Sequence, residues 1–188
     1  MKFEIKTERL LIRTLELTDV SDFLLYRSNP EIVKYQGFDV MSQNEAEHFI
    51  KTNRNKEFAK PGEWKQFAIE NIELAKLIGD CAIKFNLEDI RIAQIGMTIS
   101  HLYQKNAFAK EALRGILYYL FDVMGIHRVE EIVDARNTAS INLLKSVGFR
   151  KDGYFIENIF FKGEWGSEYQ FAMLNREWQA IKSLIQKN

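Results

Sequence analysis

Between Gln94 and Gly148 the chain passes twice from an apolar, strand-like run directly into a segment with helical periodicity. The run QIGMTIS, Gln94 to Ser100, is followed from Ala109 by apolar residues at Ala112, Leu113, Ile116, Leu117, Leu120 and Met124. That spacing draws one apolar stripe along a helix. HRVEEIVD, His127 to Asp134, is followed by Ile141, Leu144 and Val147, again on one helical face. Gly125 and Gly148 stand where a left-handed residue ends each helix. Two strand-to-helix units in succession require an α/β architecture, because each helix must return its apolar face to a sheet.

The flanks supply antiparallel pairs. Leu10 to Arg13 is a first strand, and Thr18 and Ser21 cap a helix through FLLYR that ends at Asn29, before Pro30. Ser42 opens a second helix with Ala46, Phe49 and Ile50 on one face, and Lys56 to Glu63 reads as a loop. WKQFAIEN and LIGDCAIKF form a hairpin across Asn71 to Lys76. GYFIENIFF and EWGSEYQFAML form a last pair with a turn at Lys162–Gly163, and Glu177 to Asn188 is an amphipathic helix or a frayed end. The expected fold is one domain over residues 1–188, with a mixed, mostly antiparallel central sheet of about six to seven strands flanked by helices.

Composition narrows the function. With 188 residues and 46% hydrophobic content the chain can bury a real core. Its formal net charge of +0 argues against a dedicated partner for nucleic acid or a membrane surface. A single cysteine excludes an internal disulfide framework and suits a reducing compartment. Cys81, inside GDCAI, reads as a small buried hydrophobe. The charged N-terminus has no signal-like apolar core and no window is long enough to span a membrane, so a cytoplasmic location is expected.

Both strand-to-helix turns are polar enough to be sites. In YQKNAFAKEAL, a strand, a turn and a helix start gather free backbone N–H groups and the positive end of a helix dipole, which bind phosphate without a cationic side chain. No glycine occurs from Tyr103 to Leu113; Asn106 takes a left-handed conformation more easily than most residues. At Ala107 a positive φ would cost about 1 kcal/mol. In the second turn Asn137, Ser140 and Asn142 offer short hydrogen-bonding side chains, with Asn137 also a helix cap.

Together the two turns resemble those of the GCN5-related N-acetyltransferase (GNAT) superfamily, in its RimJ/RimL, ribosomal-protein-alanine acetyltransferase-like branch. The family's Q/R-x-x-G-x-G/A turn is carried by Gln104, Lys105, Asn106, Ala107, Phe108 and Ala109, followed by KEAL at Lys110 to Leu113. The branch's Asn-x-x-Ser turn, with a following Leu and a Gly-Phe pair, is matched by Asn137, Ser140, Leu143, Gly148 and Phe149. TERLLIR, Thr7 to Arg13, resembles its opening strand, and FAIEN with LIGDCAI its second and third. The likeness covers nearly the whole chain.

The resemblance implies a GNAT fold whose sheet splays at one strand pair to form the CoA cleft. It implies acetyl-CoA as co-substrate, no metal, and a primary amine as acceptor, either a protein N-terminus or a small amine such as a polyamine or aminoglycoside. It further implies that the N–H groups of about Lys105 to Lys110 bind the pyrophosphate. The backbone of Met97 and Ile99 would pair with the pantetheine arm, Asn137 would bond it, and Ser140 would lie near the sulfur. Many relatives carry a Glu where this chain has Gln94, which cannot take a proton, and a Tyr where it has Leu144.

Amine attack on a thioester needs a proton acceptor and a donor to the carbonyl oxygen. Met97 N–H is the expected carbonyl donor and Ser140 the expected partner of the leaving thiolate. Glu157, in FIENIFF, is the first choice of base and His101 the second. Glu111, in the first turn of its helix, reads as structural. Glu157, Glu164 and Glu168 could make an acidic acceptor cleft, and the aromatic hairpin around them could wall that cleft or form a homodimer contact. The alternative to an enzyme is a CoA- or peptide-binding module that has lost catalysis.

Overall fold

A computed structural model describes residues 3–185. Among the described residues there are eight strands: β1 (Glu4–Lys6), β2 (Leu10–Thr14), β3 (Trp64–Asn71), β4 (Lys76–Phe85), β5 (Ile92–Ile99), β6 (Arg128–Asp134), β7 (Arg150–Phe161) and β8 (Glu164–Leu174). They form one sheet in the order β1-β2-β3-β4-β5-β6-β8-β7. Every neighbouring pair is antiparallel except β5 with β6, so the mixed, mostly antiparallel GNAT-type sheet is as expected, with one strand more. The added strand is β1, three residues whose pairing with β2 no local pattern announces.

Among the described residues six α-helices cover the sheet: α1 (Val20–Arg27), α2 (Pro30–Val33), α3 (Gln43–Arg54), α4 (Phe108–Tyr118), α5 (Thr138–Val147) and α6 (Asn175–Ile185). Alternation along β3 divides two cores. Phe67 and Ile69 join the cluster beneath α4, α5 and α6, while Ala68 joins the smaller one beneath α1 and α3. The stripe Ala112, Leu113, Ile116 and Leu117 is buried as its spacing requires.

Two helix boundaries differ from the sequence reading. Thr18 and Ser21 do not cap α1; a short 3-10 turn, Leu17–Asp19, leads into it, and Asp19 Oδ2 accepts the Glu16 N–H at 2.8 Å. The helix stops at Arg27, and Pro30 opens α2 with Asn29 as its cap, its Oδ1 accepting the Glu31 N–H at 3.0 Å. Proline lacks the N–H that a first helical residue has no use for, so it starts a helix as readily as it ends one.

The other caps behave as their residues dictate. Ser42 and Glu45 cap α3 reciprocally. Gly148, at φ 106°, closes α5, and its N–H bonds the carbonyls of Leu144 and Lys145. Lys162 and Gly163, at φ 50° and 87°, make the tight turn of the last hairpin. Its outer strand β7 is the sheet edge and leaves Tyr154, Phe155, Ile156, Ile159 and Phe160 exposed. The C-terminal segment is helical to Ile185; the residues after it in the Glu177 to Asn188 expectation lie outside those described. No helix among the described residues is long and apolar enough to cross a membrane.

Candidate functional site

Strands β5 and β6 pair over three residues only: Ile92 with Arg128, Ala93 with Val129, and Gln94 with Glu130. Beyond them β5 stays with β4 as far as Ile99, while β6 stays with β8 as far as Asp134. The sheet therefore splits, and the split opens into a cleft of about 590 Å³.

The wall along β5 is an unpaired backbone edge. Asn86 N–H bonds Ile92 O and Ser100 N–H bonds Ile78 O, which fixes the even-numbered residues of β5 as those facing β4. An antiparallel ladder alternates, so the N–H and C=O of Met97 and Ile99 point the other way, into the split. The Ile99 carbonyl is taken by Gln104 Nε2 at 3.0 Å. Both residues line the cleft.

One end of the cleft is the turn before α4. Its left-handed residues are Lys105 at φ 64° and Ala107 at φ 63°, not Asn106. The Asn106 amide instead ties the turn, donating to the carbonyls of Tyr103 at 3.3 Å and Gln104 at 3.1 Å. The positive φ at Ala107 carries the strain of about 1 kcal/mol that an L side chain meets there. Phe108, Ala109 and Lys110 then present N–H groups with no intrahelical acceptor, at the positive end of α4.

That turn is stapled from the segment between β1 and β2. Glu111 Oε1 accepts from Thr7 Oγ1 at 2.6 Å and from the Arg9 N–H at 2.8 Å, and Oε2 accepts from Arg9 Nε at 2.7 Å. Burial pushes the Glu111 carboxyl up, but these hydrogen bonds outweigh it and hold the group below its ordinary value. The Arg9 guanidinium also lies over the Phe108 ring, 4.4 Å from its centre, and reaches Asn106 O at 3.3 Å.

The facing wall is β6 and the start of α5. Asn137 Oδ1 caps α5 by accepting the Ser140 N–H at 3.2 Å. Ser140 Oγ donates to Glu131 Oε1 at 3.3 Å. Glu131 was missed in the sequence, although HRVEEIVD held the signal. Val129 and Val133 are buried, so alternation turns the residue between them inward. Burial pushes the Glu131 carboxyl up to about 7, with the Ser140 hydrogen bond pulling the other way.

From the opposite side of the sheet, Glu31, Ile32, Tyr35 and Gln36 close over the cleft. Gln36 is held by a buried polar network. Its Nε2 donates to Thr98 Oγ1 at 2.5 Å and its Oε1 accepts from Arg27 Nη1. Arg27 pairs with Asp80 at 2.5 Å, with side-chain exposures of 2% and 0%. Tyr26 Oη and Gln66 Nε2 donate to the same carboxylate. Burial, and then the Asp80 charge, push the Tyr26 phenol well up, so it stays a donor.

Of the residues singled out in the sequence, Met97, Ile99, Gln104, Lys105, Ala107, Phe108, Ala109, Lys110, Asn137 and Ser140 meet at this one cleft, as does His101. Asn106, Asn142 and Glu157 do not line it. Asn142 lies on the exposed face of α5. Glu157 stands exposed at φ 45° where the β7–β8 register slips between Phe155 and Ile159, so the bulge carries it away from the site. Glu164 is drawn to Arg136 and Glu168 to Asn158, so the three acidic residues do not converge on the cleft. Leu144 is fully buried in the core. Cys81 is buried too, and burial pushes its thiol well up, which fits an inert core residue.

Chemically, the cleft offers N–H groups for an anion, a free strand edge for an extended chain with amides, and a hydroxyl–carboxyl pair for proton transfer. The profile of the acetyltransferase (GNAT) domain family matches residues 9–150. The chain is 30% identical over 173 residues to the uncharacterized N-acetyltransferase p20 of Bacillus licheniformis, covering 92% of this chain and 96% of that one. It is 24% identical over 176 residues to a spermidine N(1)-acetyltransferase of Vibrio cholerae, covering 90% and 95%. A solved GNAT-family acetyltransferase from Bacillus anthracis superposes with a TM-score of 0.84 at 29% identity, over 93% of this chain and 99% of that one.

Proposed function

The chain belongs to the acetyltransferase (GNAT) family and is an acetyltransferase, and from that premise we propose that it moves an acetyl group from acetyl-CoA to a primary amine by direct attack in a ternary complex. The acceptor is a small polyamine of the kind named for the Vibrio cholerae relative, or a protein N-terminal amine.

The residues present fit acetyl-CoA. The observation that carries the reading is the split itself: β5 parts from β6 after Gln94, so the Met97 backbone faces the open cleft between a free helix N-terminus and Ser140. In the proposed complex the pyrophosphate lies against the N–H groups from Lys105 to Lys110 and the pantetheine arm extends β5 along Met97 and Ile99. The Asn137 amide bonds the arm; its Oδ1 is already spent on the cap. Met97 N–H holds the carbonyl oxygen as charge develops on it, and Ser140 lies at the leaving sulfur. Much of the rate then comes from holding amine and thioester in register.

The single buried thiol suits the cytoplasm. The outer strand β7, with Ile156 and Phe160 exposed at 72% and 62%, supports a homodimer through that edge. A monomer in sedimentation equilibrium overturns the dimer.

The activity is tested by titrating acetyl-CoA calorimetrically, then following thiol release with spermidine, spermine and peptides bearing a free N-terminal alanine or serine. Saturable binding and turnover of at least one amine are expected. Binding without turnover of either acceptor type would remove both from the proposal.

A further inference from the structure

We propose that Glu131 and Ser140 form a proton relay, Glu131 taking the proton that the attacking amine must lose and returning it through the Ser140 hydroxyl to the leaving thiolate. This rests on the acetyl-transfer reading of the cleft. Glu131 is the first residue of β6 past its pairing with β5, at the apex of the split. It lines the same cleft as Met97, and Ser140 Oγ reaches its carboxyl at 3.3 Å.

Packing does not account for a carboxylate there. Glu131 sits between two buried valines and beside Phe171 of β8, its ladder partner. No Lys, Arg or His among the described residues forms an ion pair with it. The other titratable groups of the cleft are Glu31, Tyr35, His101, Tyr103, Lys105 and Lys110, and none is hydrogen-bonded to it. An inward carboxylate without countercharge costs the fold stability. Its gain lies in chemistry, since a group held near neutrality accepts and returns a proton with comparable ease.

The steps balance. The neutral amine attacks the thioester carbon, a C–N bond forms, and the carbonyl π pair moves to the oxygen held by Met97 N–H. The nitrogen proton passes to the Glu131 carboxylate. As the carbonyl re-forms, the C–S bond breaks and its pair leaves on sulfur. Sulfur takes the Ser140 proton, and Ser140 takes the one Glu131 holds. Glu131 ends as the carboxylate, and only acetyl-CoA and amine are consumed.

The test uses Glu131→Gln, Ser140→Ala and the double variant of the full chain, with spermidine and an alanine-initiated peptide as acceptors. Glu131→Gln should lower kcat by about 100-fold or more, abolish the acidic limb of the pH profile, and leave acetyl-CoA Kd within about twofold. The double variant should be no slower than Glu131→Gln alone, because both residues handle one proton. A weakened Kd with unchanged kcat makes Glu131 a binding group, and an unchanged pH profile makes it structural; either overturns the relay. Infrared spectroscopy gives a readout free of turnover. A carboxyl band missing from Glu131→Gln should titrate near neutral pH in the wild type, and a Glu131 ionised throughout overturns the relay. A wild type that binds acetyl-CoA but acetylates neither amine counts against the acceptor reading, while the carboxyl titration still decides the relay.

Discussion

Arg9 and Glu111 grip each other across 102 residues of chain, through the Arg9 N–H at 2.8 Å and Arg9 Nε at 2.7 Å. The grip fixes the first turn of α4 to the residue before β2 and so sets the attitude of the free N–H groups at the start of that helix. Arg9→Leu should weaken acetyl-CoA binding by about 3- to 10-fold, about 1 kcal/mol, with little change in melting temperature, because Arg9 is 42% exposed. Glu111→Gln should weaken it in the same direction; if only Arg9→Leu does, Arg9 touches the ligand itself. Hydrogen bonds depress the folded Glu111 carboxyl, so its contribution is present above the unfolded value and fades as pH falls through the folded one. The wild-type advantage over Glu111→Gln should shrink in acid, as read by calorimetry at several pH values.

Ala107 holds φ 63° without being glycine. Ala107→Gly should relieve about 1 kcal/mol of local strain, part of which is returned as added freedom of the unfolded chain. The fold should stay intact and acetyl-CoA Kd should tighten by a few-fold at most. A large loss of affinity in a binding titration would contradict this account of the turn.

Asp80 is fully buried and satisfies Arg27, Tyr26 and Gln66 together. Asp80→Asn leaves the buried Arg27 charge without its counterion, which costs about 3–5 kcal/mol and should lower Tm by roughly 10 °C. Through Gln36 and Thr98, which line the cleft, the same change should also raise the substrate KM values. Thermal unfolding and steady-state kinetics check the two halves separately.

Glu131 should cost the protein stability. Its folded carboxyl is raised to about 7 from an ordinary 4.5, so folding is favoured by protonation. The penalty is absent below the unfolded value, grows as pH rises between the two, and is complete above the folded one. Glu131→Gln should therefore raise Tm by several degrees above pH ~8, for up to about 3 kcal/mol, and by almost nothing in acid. Equal effects at both pH values would mean that the carboxyl does not carry the penalty.

Much of the fold was legible along the chain because it is locally encoded. The stripe of α4, the capping of α3 by Ser42 and the left-handed stop at Gly148 depend on residues within a turn or two of each other. The two turns of the candidate site were legible for the same reason. The errors fall where local signals are ambiguous. Pro30 can end a helix or begin one, and here it begins α2; nothing local singles out Lys105 and Ala107 as the left-handed residues of the turn while Asn106 ties its carbonyls.

The sequence by itself determined the elements, their order and the polar character of the two strand-to-helix turns. Only the tertiary structure decided where β5 and β6 part, that Glu157 is carried outward on a bulge, and that Glu131 faces inward beside Ser140. It also decided that Arg27 meets Asp80 and Arg9 meets Glu111. The division has a physical reason: periodicity and capping are set by neighbours along the chain, whereas the end of a ladder and the partner of a charge are set by segments folded together from 9 to 102 residues apart.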